Sequence, residues 1–176
     1  MAQWIERRPT EPKVGGSTPP RRTFYVLDKH VKYMREALKE AQKAFEEDEV
    51  PVGAVVVYKD KIIARGHNQV ERLGDPTAHA EMLALTSAAN FLRTKWLNGA
   101  SLYVTIEPCS MCAGALVLSR IQNLYFGAKD PKTGACGSVL NIINHKKLNH
   151  RIKAKSGILG KESSLLLKEF FKKKRG

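Results

Sequence analysis

The sequence predicts an α/β protein with a three-layer α/β/α architecture on a mixed five-stranded sheet. Helical and strand patterns follow in the order α-β-β-α-β-α-β, and a last strand and helix close the chain. The chain has 176 residues, of which 43% are hydrophobic and 27% charged, as in a globular protein with a sizeable core. We find no internal repeat, and we expect one folded domain over residues 24–176.

The first predicted elements are a helix and a β-hairpin. Asp28 can cap the helix, and Pro51 blocks its continuation beyond an acidic run. The β-branched residues of 52–58 and 61–67 predict two strands, which Lys59-Asp60 joins by a short turn. The expected buried stripe of the helix is Val31, Met34, Leu38, Ala41 and Phe45.

The remaining elements follow a polar loop over residues 69–77. Thr77 is the predicted N-cap of a helix over 78–92, whose buried stripe is Met82, Leu85, Ala89 and Leu92. The segment 139–150 fits a short helix or a loop equally well. The other predicted elements are a strand at 100–106, a helix at 109–119, strands at 124–128 and 151–156, and a helix at 161–173.

The charge is strongly basic and concentrated near the C-terminus. The net charge is +13, and residues 145–176 hold 11 Lys and Arg against 2 Asp and Glu. Such a region favours a polyanionic partner, with nucleic acid ahead of membrane, although a solvated tail would have the same composition. No apolar run approaches the roughly 20 residues that span a bilayer. An odd number of cysteines is a poor disulfide framework, so we expect a reducing, cytoplasmic setting.

Residues 1–23 differ from the rest of the chain. They contain four of the eight prolines and lack periodicity, so we expect a disordered extension. Back-translation of segments 2–8 and 16–20 yields sequences that resemble two arms of a tRNA gene. We therefore hypothesise a mis-assigned start, with the true start near residues 25–29.

Cys109 and Cys112 lie three apart at the start of a predicted helix, where both sulfurs share one face. The helix N-terminus lowers the pKa of a thiol and favours the thiolate that a metal needs. A Cys-x-x-Cys pair alone also fits a redox site or half of a Cys₄ site. A Cys₄ site would need two more cysteines, and only Cys136 remains. This favours a metal site with histidine as the third ligand and the fourth coordination position open to water.

His79 is the histidine that fits this site best, because it opens a helix after the loop that ends at Pro76-Thr77. Glu81 lies two positions later, and residues at i and i+2 do not share a helix face. His79 is therefore the candidate ligand, and Glu81 remains as a free carboxylate near the metal. A carboxylate in that position is a general base and proton shuttle.

The pattern His-x-Glu followed by Pro-Cys-x-x-Cys resembles the signature of zinc-dependent nucleobase deaminases. The chain from about residue 28 to 173 is similar to the bacterial tRNA-specific adenosine deaminases, a family of the cytidine/deoxycytidylate deaminase superfamily. The segments that carry this similarity are 49–54, 75–81, 103–109, 119–121, 127–130 and 148–151.

The resemblance implies a cytidine-deaminase-like fold and hydrolytic conversion of the wobble adenosine to inosine in tRNA-Arg with anticodon ACG. It implies one Zn²⁺ per subunit, held by His79, Cys109 and Cys112, with a zinc-activated water and Glu81 as the proton carrier. It also implies a homodimer that binds the anticodon stem-loop. The implied nucleotide and RNA contacts are Asn68, Asp130, Asn149, His150, Arg151 and Phe171.

Two alternatives remain open at this point. A deaminase of a free base or nucleoside, such as guanine or cytosine, would share the zinc site but would not need the basic C-terminal third. A non-catalytic, zinc-stabilised RNA-binding module would share the charge but would not need Glu81.

Overall fold

The computed structural model describes residues 21–175, with side chains from residue 29 onward. The expectation for the N-terminal extension therefore lies almost wholly outside the described residues. The elements are α1 (Arg21–Glu46), β1 (Gly53–Tyr58), β2 (Lys61–His67), α2 (Val70–Leu73), α3 (Ala80–Leu92), β3 (Ser101–Ile106), α4 (Ser110–Leu118), β4 (Asn123–Ala128), β5 (Lys153–Ser156) and α5 (Gly160–Arg175).

The five strands form one sheet in the order β2-β1-β3-β4-β5. Strand β1 is antiparallel to both β2 and β3, whereas β3, β4 and β5 run parallel. This arrangement confirms the predicted mixed five-stranded sheet. Because β3 and β4 are parallel, the residues that follow these two strands lie side by side at the same end of the sheet.

Helices cover both faces of the sheet, so the protein has the three layers that the sequence predicts. Side chains of β1 alternate between two buried clusters: Ala54 and Val56 pack with α3 and α4, and Val55 and Val57 pack with α1. Helix α5 packs beside α1 and against β4. In the described part of the chain, no helix is long and apolar enough to cross a membrane.

The starts of α1 and α3 differ from the prediction. Helix α1 begins at Arg21, so Asp28 lies within it and is not its N-cap. Helix α3 begins at Ala80, two residues later than predicted, with His79 at the N-cap position. Thr77 lies before this N-cap, in a turn where its backbone N–H and its hydroxyl both donate to the carboxylate of Asp75 at 2.7 Å.

Two further predictions needed correction. The buried side chains of α3 are mainly those of alanines. Of the predicted stripe only Leu85 is buried, whereas Met82, Ala89 and Leu92 are partly exposed. Short side chains allow α3 to approach β2 closely, since a Cβ at Gly66 would lie 2.5 Å from the carbonyl oxygen of Ala80. The predicted loop 69–77 contains the short helix α2. Residues 139–150, for which the sequence left helix and loop open, form turns.

Replacing Gly53 with alanine is expected to destabilise the fold by about 3 kcal/mol, at the upper end of typical overpacking costs. A Cβ there would lie 2.1 Å from the carbonyl oxygen of Ala37 and 2.3 Å from the amide nitrogen of Ala41. Both atoms belong to the backbone of α1, which can yield only by moving away from β1. Urea unfolding of the full chain measures the change.

Gly114→Ala is the matched control for this substitution. Gly114 lies inside α4, and a Cβ added there would have no heavy atom within 4 Å beyond its own helical turn. Alanine is favoured over glycine in a helix interior by about 1 kcal/mol, so this variant should gain stability. Equal effects of the two variants on the free energy of unfolding would contradict the packing explanation.

Candidate metal centre and substrate pocket

Three side chains from two helix starts converge at one point. The imidazole nitrogen Nδ1 of His79 lies 3.5 Å from the sulfur of Cys112 and 3.7 Å from the sulfur of Cys109. One nitrogen or sulfur from each residue lies within 4.8 Å of the other two. Two thiols and one imidazole at this spacing form a donor set that fits a tetrahedral Zn²⁺ with its fourth position open.

The helix starts explain why these side chains face one another. His79 and Cys109 both occupy N-cap positions with extended backbone, and neither side chain caps its own helix. Cys112 lies in the first turn of α4 and is fully buried. The N-termini of α3 and α4 thus bring their positive dipole ends and free donor groups to one place.

The two cysteines differ in their affinity for a proton. Hydrogen bonds from Cys112 and His79 lower the pKa of the Cys109 thiol to about 4. The Cys109 thiolate in turn raises the pKa of the Cys112 thiol, and burial adds to this effect. A lowered pKa at Cys109 favours the thiolate, which is the form of cysteine that binds metal.

Glu81 lies in the first turn of α3 and is only 3% exposed. Burial raises the pKa of its carboxyl above the ordinary value, against the opposing effect of His79. Its carboxylate interacts electrostatically with His79, Cys109 and Cys112, although it is not one of the three clustered donors. A buried acid lies beside the donor cluster as the sequence spacing predicts.

The cluster opens into a cavity of about 320 Å³. Two of the predicted nucleotide contacts, Asn68 and Asp130, line this cavity together with His79, Glu81 and Cys109. Its apolar wall consists of Val50, Val52, Val70 and Ile106. The cavity thus combines a few polar groups with aliphatic side chains, as is usual for small-molecule sites.

Neighbouring groups hold both polar side chains in place. Asn68 is 6% exposed and donates from Nδ2 to a carboxylate oxygen of Glu49 at 3.3 Å. The carboxylate of Asp130 accepts the backbone N–H groups of Lys132 at 2.8 Å and Thr133 at 3.2 Å. Partial burial alone would raise the pKa of Asp130, but the hydrogen bond from the Thr133 hydroxyl, together with these two backbone bonds, keeps it below its ordinary value.

The other predicted RNA contacts do not line this cavity. The Nε2 of His150 lies 2.6 Å from the carbonyl oxygen of Ile121, which precedes β4, whereas Asp130 follows β4. A six-residue strand is about 18 Å long, so the His150 segment lies toward the far end of the sheet. Asn149 and Arg151 beside it are exposed.

Phe171 lies on α5 and is 46% exposed, whereas its neighbour Phe170 is 3% exposed and packs edge-on against Phe45. One of these two aromatic side chains therefore belongs to the core and the other faces outward. The predicted role of Phe171 in RNA binding remains a prediction.

Two pocket residues received no role from the sequence, although both lie in the segments that carry the family resemblance. Glu49 is 1% exposed and accepts hydrogen bonds from Asn68 and from the backbone N–H of Arg72. Glu107 is 2% exposed and precedes Pro108-Cys109. A glutamate in an acidic run or at a strand end is usually solvated, so only the fold reveals that these two are buried.

Residues 28–175 match the family model described as MafB19-like deaminase. The tRNA-specific adenosine deaminase of Aquifex aeolicus is 54% identical over 143 residues, which cover 81% of this chain and 94% of the relative.

Solved structures agree with this relationship. One from studies of A-to-I editing by tRNA:A34 deaminases at the wobble position of transfer RNA is 44% identical with a TM-score of 0.75, covering 77% of this chain and 98% of that chain. A guanine deaminase from Nitrosomonas europaea is more distant, at 25% identity and a TM-score of 0.69 over 80% of this chain and 83% of its own.

Proposed function

Because the chain belongs to the family of tRNA-specific adenosine deaminases, we propose that it converts the wobble adenosine of tRNA-Arg (anticodon ACG) to inosine. The observation that supports this most is the convergence of His79, Cys109 and Cys112 beside buried Glu81 in one cavity. The reaction is a hydrolysis: water adds at C6 of adenine, and ammonia leaves.

In this proposal His79, Cys109 and Cys112 hold one Zn²⁺ per subunit. Bound there, Zn²⁺ would supply Lewis-acid chemistry that acidifies water near neutral pH. The two thiols and the imidazole provide the donors, and the cavity provides access to the open position. The donor set and its place at two helix starts support this assignment.

Glu81 moves the protons of the reaction. Its carboxylate takes a proton from the attacking water and delivers it to the ring nitrogen next to the reacting carbon. Burial at 3% exposure keeps bulk water from competing for that proton. Asn68 and Asp130 orient the nucleotide from the polar wall, while Val52 and Ile106 pack against the base.

Basic and aromatic groups outside the cavity would bind the RNA. The last turn of α5 carries Lys172, Lys173, Lys174 and Arg175, next to exposed Phe171. Cations beside an exposed aromatic ring offer phosphate contacts and base stacking to an anticodon loop. In this proposal the segment 149–151 contacts RNA at a second place, distant from the cavity.

We also propose that the enzyme is a homodimer and acts in the cytoplasm. Light scattering at micromolar concentration should give a mass of twice 19.6 kDa. A concentration-independent monomer mass would contradict the dimer.

The proposed function predicts that zinc-loaded protein forms inosine at the first anticodon position of a stem-loop with the ACG anticodon. Mass spectrometry of nuclease digests identifies the product and its position. A stem-loop with a different anticodon that also begins with adenosine measures how far the activity is restricted to tRNA-Arg.

Free adenosine and free guanine serve as competing substrates in the same assay. Turnover of either at the rate found for the stem-loop would favour a small-molecule deaminase instead. Failure to convert the stem-loop despite one bound Zn²⁺ per chain would contradict the proposed activity.

A further inference from the structure

Glu107 is a buried carboxylate that accepts four hydrogen bonds from one loop. It is 2% exposed and lies between β3 and the Pro108-Cys109 pair. Its Oε1 accepts the backbone N–H groups of Cys136 and Ser138, both at 3.0 Å. Its Oε2 accepts the backbone N–H of Asp130 at 3.2 Å and the hydroxyl of Ser138.

The same loop is also attached to the backbone around Cys109. The amide of Ala135 donates to the carbonyl of Pro108 at 2.9 Å, and Gly134 pairs with Cys109 in an isolated β-bridge. A Cβ at Gly134 would lie 2.6 Å from the carboxyl carbon of Glu107. The loop therefore reaches this carboxylate only because residue 134 is glycine.

These contacts connect a candidate metal ligand to one wall of the cavity. Asp130 and Thr133 line the cavity, and the Asp130 side chain closes the turn that contains Thr133. The backbone of Asp130 is in turn anchored on Glu107, two residues before Cys109. Displacement of the Glu107 carboxylate would therefore move the wall relative to the metal centre.

We propose that Glu107 is a positioning residue that holds the Asp130–Thr133 wall at a fixed place relative to Cys109 for RNA binding. This inference rests on the proposed function, since it assigns the wall to the RNA substrate. Glu107 itself transfers no proton and binds no metal in this role. Its loss should weaken RNA binding much more than the chemical step.

The two oxygens of Glu107 allow a selective test with Glu107→Gln. A glutamine whose oxygen replaces Oε1 keeps the bonds from Cys136 and Ser138. Its NH₂ group then points at the backbone N–H of Asp130, so two donors face each other. The Ser138 hydroxyl can rotate to accept from that NH₂ group, which confines the damage to Asp130.

We expect full-length Glu107→Gln to raise KM for the ACG stem-loop about tenfold, the effect of roughly one lost hydrogen bond to a charged group. Its kcat should stay within about threefold of the wild-type value, and it should bind one Zn²⁺ per chain. Ser138→Ala removes only the hydroxyl bond and should raise KM about threefold. Glu162→Gln, an exposed change near the start of α5, should leave both parameters unchanged.

Lower kcat or lost zinc with unchanged KM in Glu107→Gln would overturn the inference. A wild-type KM in Glu107→Gln would also overturn it, because the wall would then keep its place without the hydrogen bond from the backbone N–H of Asp130 to the carboxylate. If Glu107→Gln does not fold, the KM of Ser138→Ala tests the inference alone: a threefold rise supports it, and a wild-type value overturns it. An inactive wild-type enzyme would instead refute the proposed function.

Discussion

Glu81→Gln is expected to lower kcat for inosine formation by about a thousandfold, within the range for loss of a general acid–base. Glutamine has nearly the same volume as glutamate, so it can occupy the buried site without opening a cavity. It cannot accept the proton of the attacking water. Single-turnover assays with excess enzyme measure the chemical step separately from RNA association.

Zinc content and affinity for the stem-loop should be retained in Glu81→Gln, because Glu81 is not among the three clustered donors. Glu46→Gln is the control for changing a glutamate to an amide, since Glu46 is exposed at the end of α1. Inosine formation at the wild-type rate in Glu81→Gln would exclude the proposed proton transfer. Lost zinc would instead place Glu81 among the ligands.

Cys112→Ser is expected to reduce bound zinc from one ion per chain to nearly none and to abolish turnover. The side chain is fully buried, so no external ligand can easily replace the lost thiolate. Serine is a poor substitute because its hydroxyl does not ionise near neutral pH. Metal analysis after gel filtration, together with the deamination assay, measures both effects.

The same variant should also unfold at a lower temperature than the zinc-loaded wild type. A ligand at a hundred times its Kd stabilises the folded state by about 2.7 kcal/mol, and this contribution disappears with the site. Cys136→Ser is the matched control, because its thiol lies outside the cluster. Full zinc occupancy in Cys112→Ser, or equal zinc loss in both variants, would contradict the assigned ligand set.

Local patterns were sufficient to predict the elements of this fold other than the short helix α2. The predicted strands match β1 and β2 to within one residue. In β1, contact with a buried layer on each face requires apolar side chains at nearly every position. The boundary of α3 was wrong, because residues 75–78 form a turn in which Thr77 donates to Asp75, and the helix begins only after His79, whose backbone is extended. That turn depends on loop geometry that periodicity does not contain.

By itself, the sequence determined the order of the elements apart from α2, the mixed sheet and the spacing that makes His79, Glu81, Cys109 and Cys112 candidates for one site. Short-range rules suffice for these, since helix and strand periods act over a few residues. Only the tertiary structure decided that Glu49 and Glu107 are buried at the cavity, and that the segment 149–151 lies toward the other end of the sheet from it. The physical reason is that burial and hydrogen bonding depend on residues distant in sequence: Glu107 is held by donors 23 to 31 positions away.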